Sequence, residues 1–313
     1  PACRSVDRQG YATRRRDGYR QVMAWKEIRL DSADAIIQHL SRESAAGAVA
    51  CRGQASAAKR HLSSTFDRLL DPADSDPAAV LKEVSSLQVF QRRALNFLTA
   101  AERPLLDTML GTMQLLRHYG GPTRLLDWSR SPWVAAYFAC QTGRAPDGKE
   151  SDGAVWLFDL DELVRATPRE WMETLQRIRR ASDPMAWAEQ FASPPPGIHL
   201  VYPDWENPRI IAQQGFFTLA SGFRGRHDAL IEELVGPEHC RKLIIPARAK
   251  AALMHTLAGM NLTAAALFPG ADGIGRTVEE MLRLRMRMPM DNELRLMFDQ
   301  RGMGPAAGTA EEE

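Results

Sequence analysis

The chain has 313 residues, 44% of them apolar, which allows one large domain with a substantial core or two small ones. Its 40 basic and 39 acidic side chains leave a net charge of +1, which excludes a whole-molecule field demanding a polyanion partner, so any nucleic-acid surface must be local. Cys3, Cys51, Cys140 and Cys240 are far apart and lack C-x-x-C spacing, and the longest apolar run, 133–140, falls well short of the ~20 residues that cross a bilayer; reduced thiols, no metal, no membrane partner and a cytoplasmic location are expected.

Residues 1–22 hold Arg4, Arg8, Arg14, Arg15, Arg16 and Arg20 against Asp7 and Asp17 without apolar periodicity. They predict a disordered basic leader ahead of a natural start at Met23, with a nucleic-acid-binding arm as the other reading. A single domain is expected over 23–290 and a flexible tail over 291–313, which ends in three glutamates. Ser32 can cap a helix whose apolar face is Ala35, Ile36 and Leu40, and 48–51 then reads as a short buried strand running into Arg52-Gly53-Gln54. Apolar residues recur near helical spacing from Pro77 to His118, broken at Pro104. Gly120-Gly121-Pro122 ends that region, 123–128 can run extended, and Pro132 opens a helix through Ala139. Short β-like runs follow at 153–160, 198–202, 216–219 and 243–245, separated by helices near 168–180, 227–235 and 247–258 and by a rigid proline loop at 193–197. The mixture predicts an α+β fold with a sheet core and a helical insertion at its edge.

The most informative stretch runs from His118 to Ser129, His-Tyr-Gly-Gly-Pro-Thr-Arg-Leu-Leu-Asp-Trp-Ser, followed by Ser131-Pro-Trp-Val-Ala-Ala-Tyr-Phe-Ala139. A strand that turns at once into a helix presents backbone N–H groups, Asp127 and Ser129 toward a ligand. Equally, Ser129 or Ser131 can be the helix N-cap, with Asp127 favourable to the dipole, and His118 can serve the end of the preceding helix. These segments bring a resemblance with them. Cys51-Arg52-Gly53-Gln54 resembles the Phe-Arg-Gly-Gln signature of the FRG domain family, with cysteine in the usual aromatic position, and the 118–139 stretch closely resembles the family's central motif. Residues 207–218, with Arg209, Gln213, Gly215 and Phe217, resemble its Arg-x-x-x-Gln-x-Gly-x-Phe segment, and 267–273 resemble its closing motif.

The FRG pattern is in turn similar, more distantly, to mono-ADP-ribosyltransferases of the arginine-serine-glutamate class. That likeness implies a split β-sheet core and NAD as co-substrate, with glutamine in the place of the catalytic glutamate. On this basis Arg52, Gln213, His118 and Asp127 are the expected catalytic residues. Arg52, Gly53, Gln54, Tyr119, Thr123, Arg124, Trp128, Ser129, Gln214 and Phe216 are the expected NAD-binding ones. Arg52 and Arg124 suit phosphate oxygens, Trp128, Tyr119 or Phe216 suit nicotinamide, and the Gln213 amide oxygen can accept a bond from ribose hydroxyls as positive charge builds on the sugar. Glutamine takes no proton, so activating an acceptor falls to His118 or Asp127, or is unnecessary.

The expected reaction is transfer of ADP-ribose to an acceptor, with a nucleic-acid base favoured and DNA slightly ahead of RNA or protein. An NAD-cleaving toxin or phage-defence factor, or a non-enzymatic nucleotide- or nucleic-acid-binding module, is the alternative. Locally basic clusters at Arg165, Arg169, Arg177, Arg179 and Arg180, at Arg224, Arg226 and His227, and at Arg283, Arg285 and Arg287 are candidates for a phosphate backbone or for plain solvated faces. Gly270 to Gly275 mimics a glycine-rich nucleotide loop but lacks a strand before it. Cys51 has no visible His–acid pair to make it a nucleophile.

Overall fold

The computed structural model of the protein describes residues 25–59, 61–143, 149–191 and 197–284, with 296, 297, 300 and 301. The expected leader, the tail apart from those four positions, the 193–196 loop, Cys3, Arg285 and Arg287 lie outside these residues.

After β1 (Lys26–Arg29), Ser32 opens α1 (Ala33–Ala45) by accepting the Ala35 N–H, and Ile36 and Leu40 face inward. Strand β2 (Val49–Gln54) buries its first three residues. The long helical region becomes α2 (Asp76–Ala94) and α3 (Met109–His118), separated by a 3₁₀ turn at Arg103–Asp107 that contains Pro104. Strand β3 (Leu125–Ser129) leads into α4 (Pro132–Ala139), capped by Ser131 rather than Ser129. There follow β4 (Gly153–Asp159), α5 (Leu160–Ala166), α6 (Arg169–Arg180), α7 (Pro184–Phe191), β5 (Ile198–Val201) and α8 (Pro208–Gln213). The described chain continues through β6 (Gly215–Ala220), α9 (His227–Val235), β7 (Cys240–Ile245), α10 (Ala247–Gly259), α11 (Ala264–Leu267) and α12 (Ala271–Arg283). The glycine-rich stretch after Gly270 therefore lies within a helix. Among the described residues no helix is long and apolar enough to cross a membrane.

The seven strands among the described residues form one mixed sheet in the order β1-β7-β4-β2-β3-β6-β5, in which β1 runs parallel to β7 and every other pair is antiparallel. The fold is a single-domain α+β arrangement. Because Cys51 pairs with Ser129, their side chains share a sheet face, and two-residue alternation puts Leu125 on it too. On that face α1, α4 and α10 cover β2, β4 and β7, while α2, α3, α6 and α7 cover β3, β5 and β6. The opposite face packs as one layer beneath α5 and α9, with Trp128, Trp156, Phe158 and Phe216 at its centre.

Arg124, expected to hold a phosphate, is instead an internal tie. It is fully enclosed, donates to Glu83 from Nε at 2.7 Å and Nη2 at 2.8 Å, and donates from Nη1 to the Ala220 carbonyl at 3.0 Å. The rings of Phe191 and Phe223 lie 4.0 and 4.3 Å from its guanidinium carbon. Removing one member of such a pair leaves an uncompensated buried charge, so Glu83→Ala is expected to lower unfolding free energy by about 3–5 kcal/mol in urea titration. A loss below about 1 kcal/mol, the level of an exposed pair, would refute this role.

Candidate functional site

The sheet has a weak seam. Strand β2 pairs with β4 over six residues and β3 with β6 over five, whereas β2 and β3 meet only at Cys51–Ser129. Beyond that pairing the two strands part, and the central residues of the expected site gather along the opening.

Gly53 is required there by helix α4. A β-carbon at Gly53 would run into the Ala135 carbonyl and the Phe138 side chain, so glycine sets the close approach of α4 to β2 rather than a ligand contact. Gln54 is held from the neighbouring strand, where Trp156 Nε1 donates to its Oε1 at 2.9 Å. Arg52 pairs with Trp156 across β2 and β4 and so springs from the face opposite Asp127. It nevertheless reaches Asp127 across the opening: Nη1 donates to the Asp127 carbonyl at 2.6 Å and lies 3.5 Å from Oδ2. Arg117, in the last turn of α3, grips the same carboxylate with Nε at 3.0 and 3.1 Å and with Nη2. The three side chains retain 22% (Arg52), 25% (Arg117) and 39% (Asp127) exposure, so the triad is partly open to solvent.

Desolvation pushes the Asp127 carboxyl up, but Arg117, through charge and hydrogen bonds, and then Arg52 outweigh it and hold it down to about 2. A carboxylate with so little proton affinity, engaged by two guanidinium groups, is a poor general base; the catalytic role expected of Asp127 becomes one of holding Arg52 and Arg117. His118 lies beside Trp205, with ring centroids 5.6 Å apart, and burial followed by the charge of Arg209 lowers its proton affinity. At neutral pH its imidazole is therefore uncharged and can accept a proton.

Gln213 reaches the same strand from the other side. The Ser129 hydroxyl donates to the Gln213 carbonyl at 2.7 Å, and the Ser131 N–H donates to Ser129 Oγ at 3.0 Å. The Gln213 carboxamide is turned toward Leu267, whose carbonyl accepts Nε2–H at 2.8 Å. That bond fixes which end of the amide is which and leaves Oε1 as the free acceptor among the described residues. Thus Arg52 and Gln213 are brought to one stretch of β3, at Asp127 and at Ser129, without touching. Gln214 is the left-handed residue ending α8, with φ 48°, and its side chain is exposed.

Other expected NAD contacts are corrected by their burial. Trp128 and Phe216 are core residues, and Trp128 Nε1 donates to Thr218 Oγ1, so neither ring has a face for nicotinamide. Thr123 is buried, and Arg124 has spent its donors on Glu83 and Ala220. Tyr119 alone of the three aromatic candidates is exposed, with its hydroxyl donating to Glu102 Oε1 at 2.6 Å.

Three arginines at the site were not singled out for it by sequence reasoning: Arg117, Arg209 and Arg276. Arg117 immediately precedes His118, and Arg209 opens the Arg-x-x-x-Gln segment, so both carried a signal of position. Arg209 and Arg276 flank the ring of Phe268, at 4.7 and 4.5 Å from its centroid. Conversely, much of the first two basic clusters is consumed internally. Arg165, Arg169 and Arg179 are paired with Glu162, Glu173 and Asp204; Arg224 donates to the carbonyls of Asp71 and Asp74; Arg226 pairs with Asp228, and His227 is buried. Cavities of about 310 and 320 Å³ lie beside α4, adjoining Phe268 and Lys250 respectively, and neither touches Arg52. No group of three or more metal-ligating side chains is present among the described residues.

Residues 47–148 match the family model of the FRG domain. The match covers less than half of the chain. The matched part spans β2, α2, α3, β3 and α4, and hence Arg52, Arg117, Asp127 and Ser129; Arg209, Gln213 and Phe268 come from the chain beyond it. Comparison with curated proteins and with solved structures finds no match.

The pairing of Asp127 has a pH signature. A depressed folded-state value means that its stabilisation is present above the unfolded carboxyl value of about 4 and is lost as pH falls through about 2. The wild-type protein is therefore expected to exceed Asp127→Asn in stability near neutrality and to lose that advantage over this acid range, as followed by denaturant titration at several pH values. A pH-independent difference would contradict the triad.

Proposed function

We propose that the protein binds NAD at the opening between β2 and β3 and transfers its ADP-ribose to an acceptor. The observation that carries this reading is the partly exposed guanidinium pair of Arg52 and Arg117, gathered on Asp127 where the central strands part. Planar guanidinium forks suit pyrophosphate oxygens. The single pairing between β2 and β3 supports viewing the sheet as a split core of the ADP-ribosyltransferase kind.

In the reaction the bond between nicotinamide nitrogen and ribose C1′ breaks. Its electron pair neutralises the pyridinium, and the acceptor's lone pair forms the new bond to C1′. The transition state carries oxocarbenium charge, which a hydrogen-bond acceptor on the ribose hydroxyls stabilises. Gln213 Oε1 is oriented for that task by the bond from Nε2 to Leu267. Tyr119 is the aromatic face available for nicotinamide, and neutral His118 is the group able to take the acceptor's proton. A nucleobase amine suits this arrangement because it needs little activation. A second reading, a module that binds nucleotide without turning it over, is favoured by the absence of a carboxylate at position 213.

The experiment is incubation with NAD, with and without a DNA or RNA oligonucleotide, following nicotinamide release and adduct mass. Release that requires the oligonucleotide is expected, with Arg52→Ala reducing it about 10²-fold or more, the scale of losing one transition-state contact. Undiminished release in Arg52→Ala would remove that residue from the mechanism. Release with water as the sole acceptor would make the protein an NAD hydrolase, and binding without release would leave the nucleotide-binding module.

A further inference from the structure

One more arginine stands at the rim of the opening, on the loop between β2 and α2. That loop is fastened to the body of the protein. The Leu62 N–H donates to Asp228 Oδ1 at 2.8 Å, the Leu62 carbonyl accepts the His227 N–H at 2.8 Å, and the Phe66 N–H donates to the Thr123 carbonyl at 3.2 Å. Inside it the Asp67 N–H donates to Ser64 Oγ at 3.0 Å, and the Ser64 hydroxyl donates to Asp67 Oδ2 at 2.8 Å. A loop tied in this way holds Thr65 and Arg68 in place before any ligand arrives.

Thr65 is their meeting point with the ion triad. Its Oγ1 accepts from Arg68 Nη2 at 3.2 Å and from Arg117 Nη1 at 3.5 Å. A hydroxyl oxygen that accepts from two guanidinium groups still has its own hydrogen to donate, and among the described residues no acceptor takes it. Arg68 is exposed, and its remaining bond, from Nη1, goes to the Ser63 carbonyl; among the described residues it has no carboxylate partner.

The charges point the same way. Enclosure lowers the proton affinity of Arg52; Asp127 opposes that, while Arg117 and Arg68 add to it, so the field of Arg68 reaches Arg52. Carboxylates close to Arg68 in sequence are engaged elsewhere: Asp67 accepts from Ser64 and from the Arg224 N–H, and Asp74 pairs with Lys82. Against the three guanidinium groups of Arg52, Arg68 and Arg117 stands the carboxylate of Asp127, which leaves this group of four with two positive charges in excess. One diester phosphate cancels half of that excess, and two linked phosphates cancel all of it.

We propose that the opening between β2 and β3 is a two-phosphate site, in which Arg68 and the Thr65 hydroxyl hold one phosphate of a pyrophosphate while Arg52 and Arg117 hold the other. Thr65 touches the guanidinium groups of both sets, so the two places adjoin, as linked phosphates require. That the pyrophosphate belongs to NAD rests on the transferase reading; the division of two phosphates between two sets of donors does not.

The test is titration calorimetry of the full chain with inorganic pyrophosphate and, separately, inorganic phosphate. Wild type is expected to bind pyrophosphate about tenfold more tightly than phosphate. Arg68→Ala is expected to cut pyrophosphate affinity about tenfold, the scale of one charged hydrogen bond, and to leave phosphate affinity at the wild-type value. Thr65→Val, which keeps the shape and removes the hydroxyl, is expected to lose about threefold. Lys26→Ala, which removes one positive charge from the edge strand β1, is expected to change neither affinity. An unchanged thermal midpoint identifies folded variants. Equal pyrophosphate affinity in wild type and Arg68→Ala overturns the inference, and so does an equal fall for both anions. A wild type that binds pyrophosphate no more tightly than phosphate overturns it as well. NAD is titrated beside them. Pyrophosphate binding that needs Arg68, with no binding of NAD, removes the transferase reading and keeps the two-phosphate site; NAD binding that Arg68→Ala leaves intact removes the site and keeps the reading.

Discussion

The arrangement of the site depends on β3 being joined to β2 by a single residue pairing while the ion triad of Arg52, Asp127 and Arg117 spans the parted strands. A fully zipped sheet would turn the Asp127 carbonyl toward a backbone N–H and leave no place for a guanidinium. Here Arg52 supplies the donor that the separated strand does not, and Arg117 brings the end of α3 to the same carboxylate. The two halves of one face, covered by different sets of helices, are thereby bridged by charge where apolar packing is interrupted.

Around this seam the protein distinguishes arginines that look alike as letters. Arg124 is sealed between two phenylalanine rings and a carboxylate, and its contribution is to stability. Arg52 and Arg117 remain partly solvated over a shared anion. Arg209 and Arg276 rest on one ring with weaker partners still. Enclosure and pairing, more than residue type, decide which of them can exchange a protein contact for a ligand.

Local signals carried most of the strong elements. Ser32, Ser131 and Pro132 marked helix starts because their side chains or ring geometry act within one turn. Strands β2, β4 and β6 were visible as short apolar runs. Strand β1, made of Lys26 to Arg29, was hidden because an edge strand with mostly exposed side chains lacks an apolar pattern. Helix α12 was obscured by Gly273 and Gly275, although Gly273 sits where a β-carbon would strike the Phe268 carbonyl. The site was legible in its motifs and less so in its assignments. Alternation along β3 already placed Trp128 with Leu126, on the buried layer opposite Asp127; that signal was present in the letters. The partner of Arg124 was not, because Glu83 lies 41 residues earlier on α2, and such a meeting exists only once the chain has folded.

Asp127 acts as a built-in counter-ion. A phosphate bound at Arg52 and Arg117 would compete with a carboxylate already there, so uptake at the seam would be an exchange of one anion for another more than the filling of an empty cationic hole. Little mobile salt is then liberated from the surface, and occupancy at that position is comparatively indifferent to ionic strength. On the proposed reading, the same swap would set Asp127 loose as the ligand settled, converting a structural tether into a free negative group beside it.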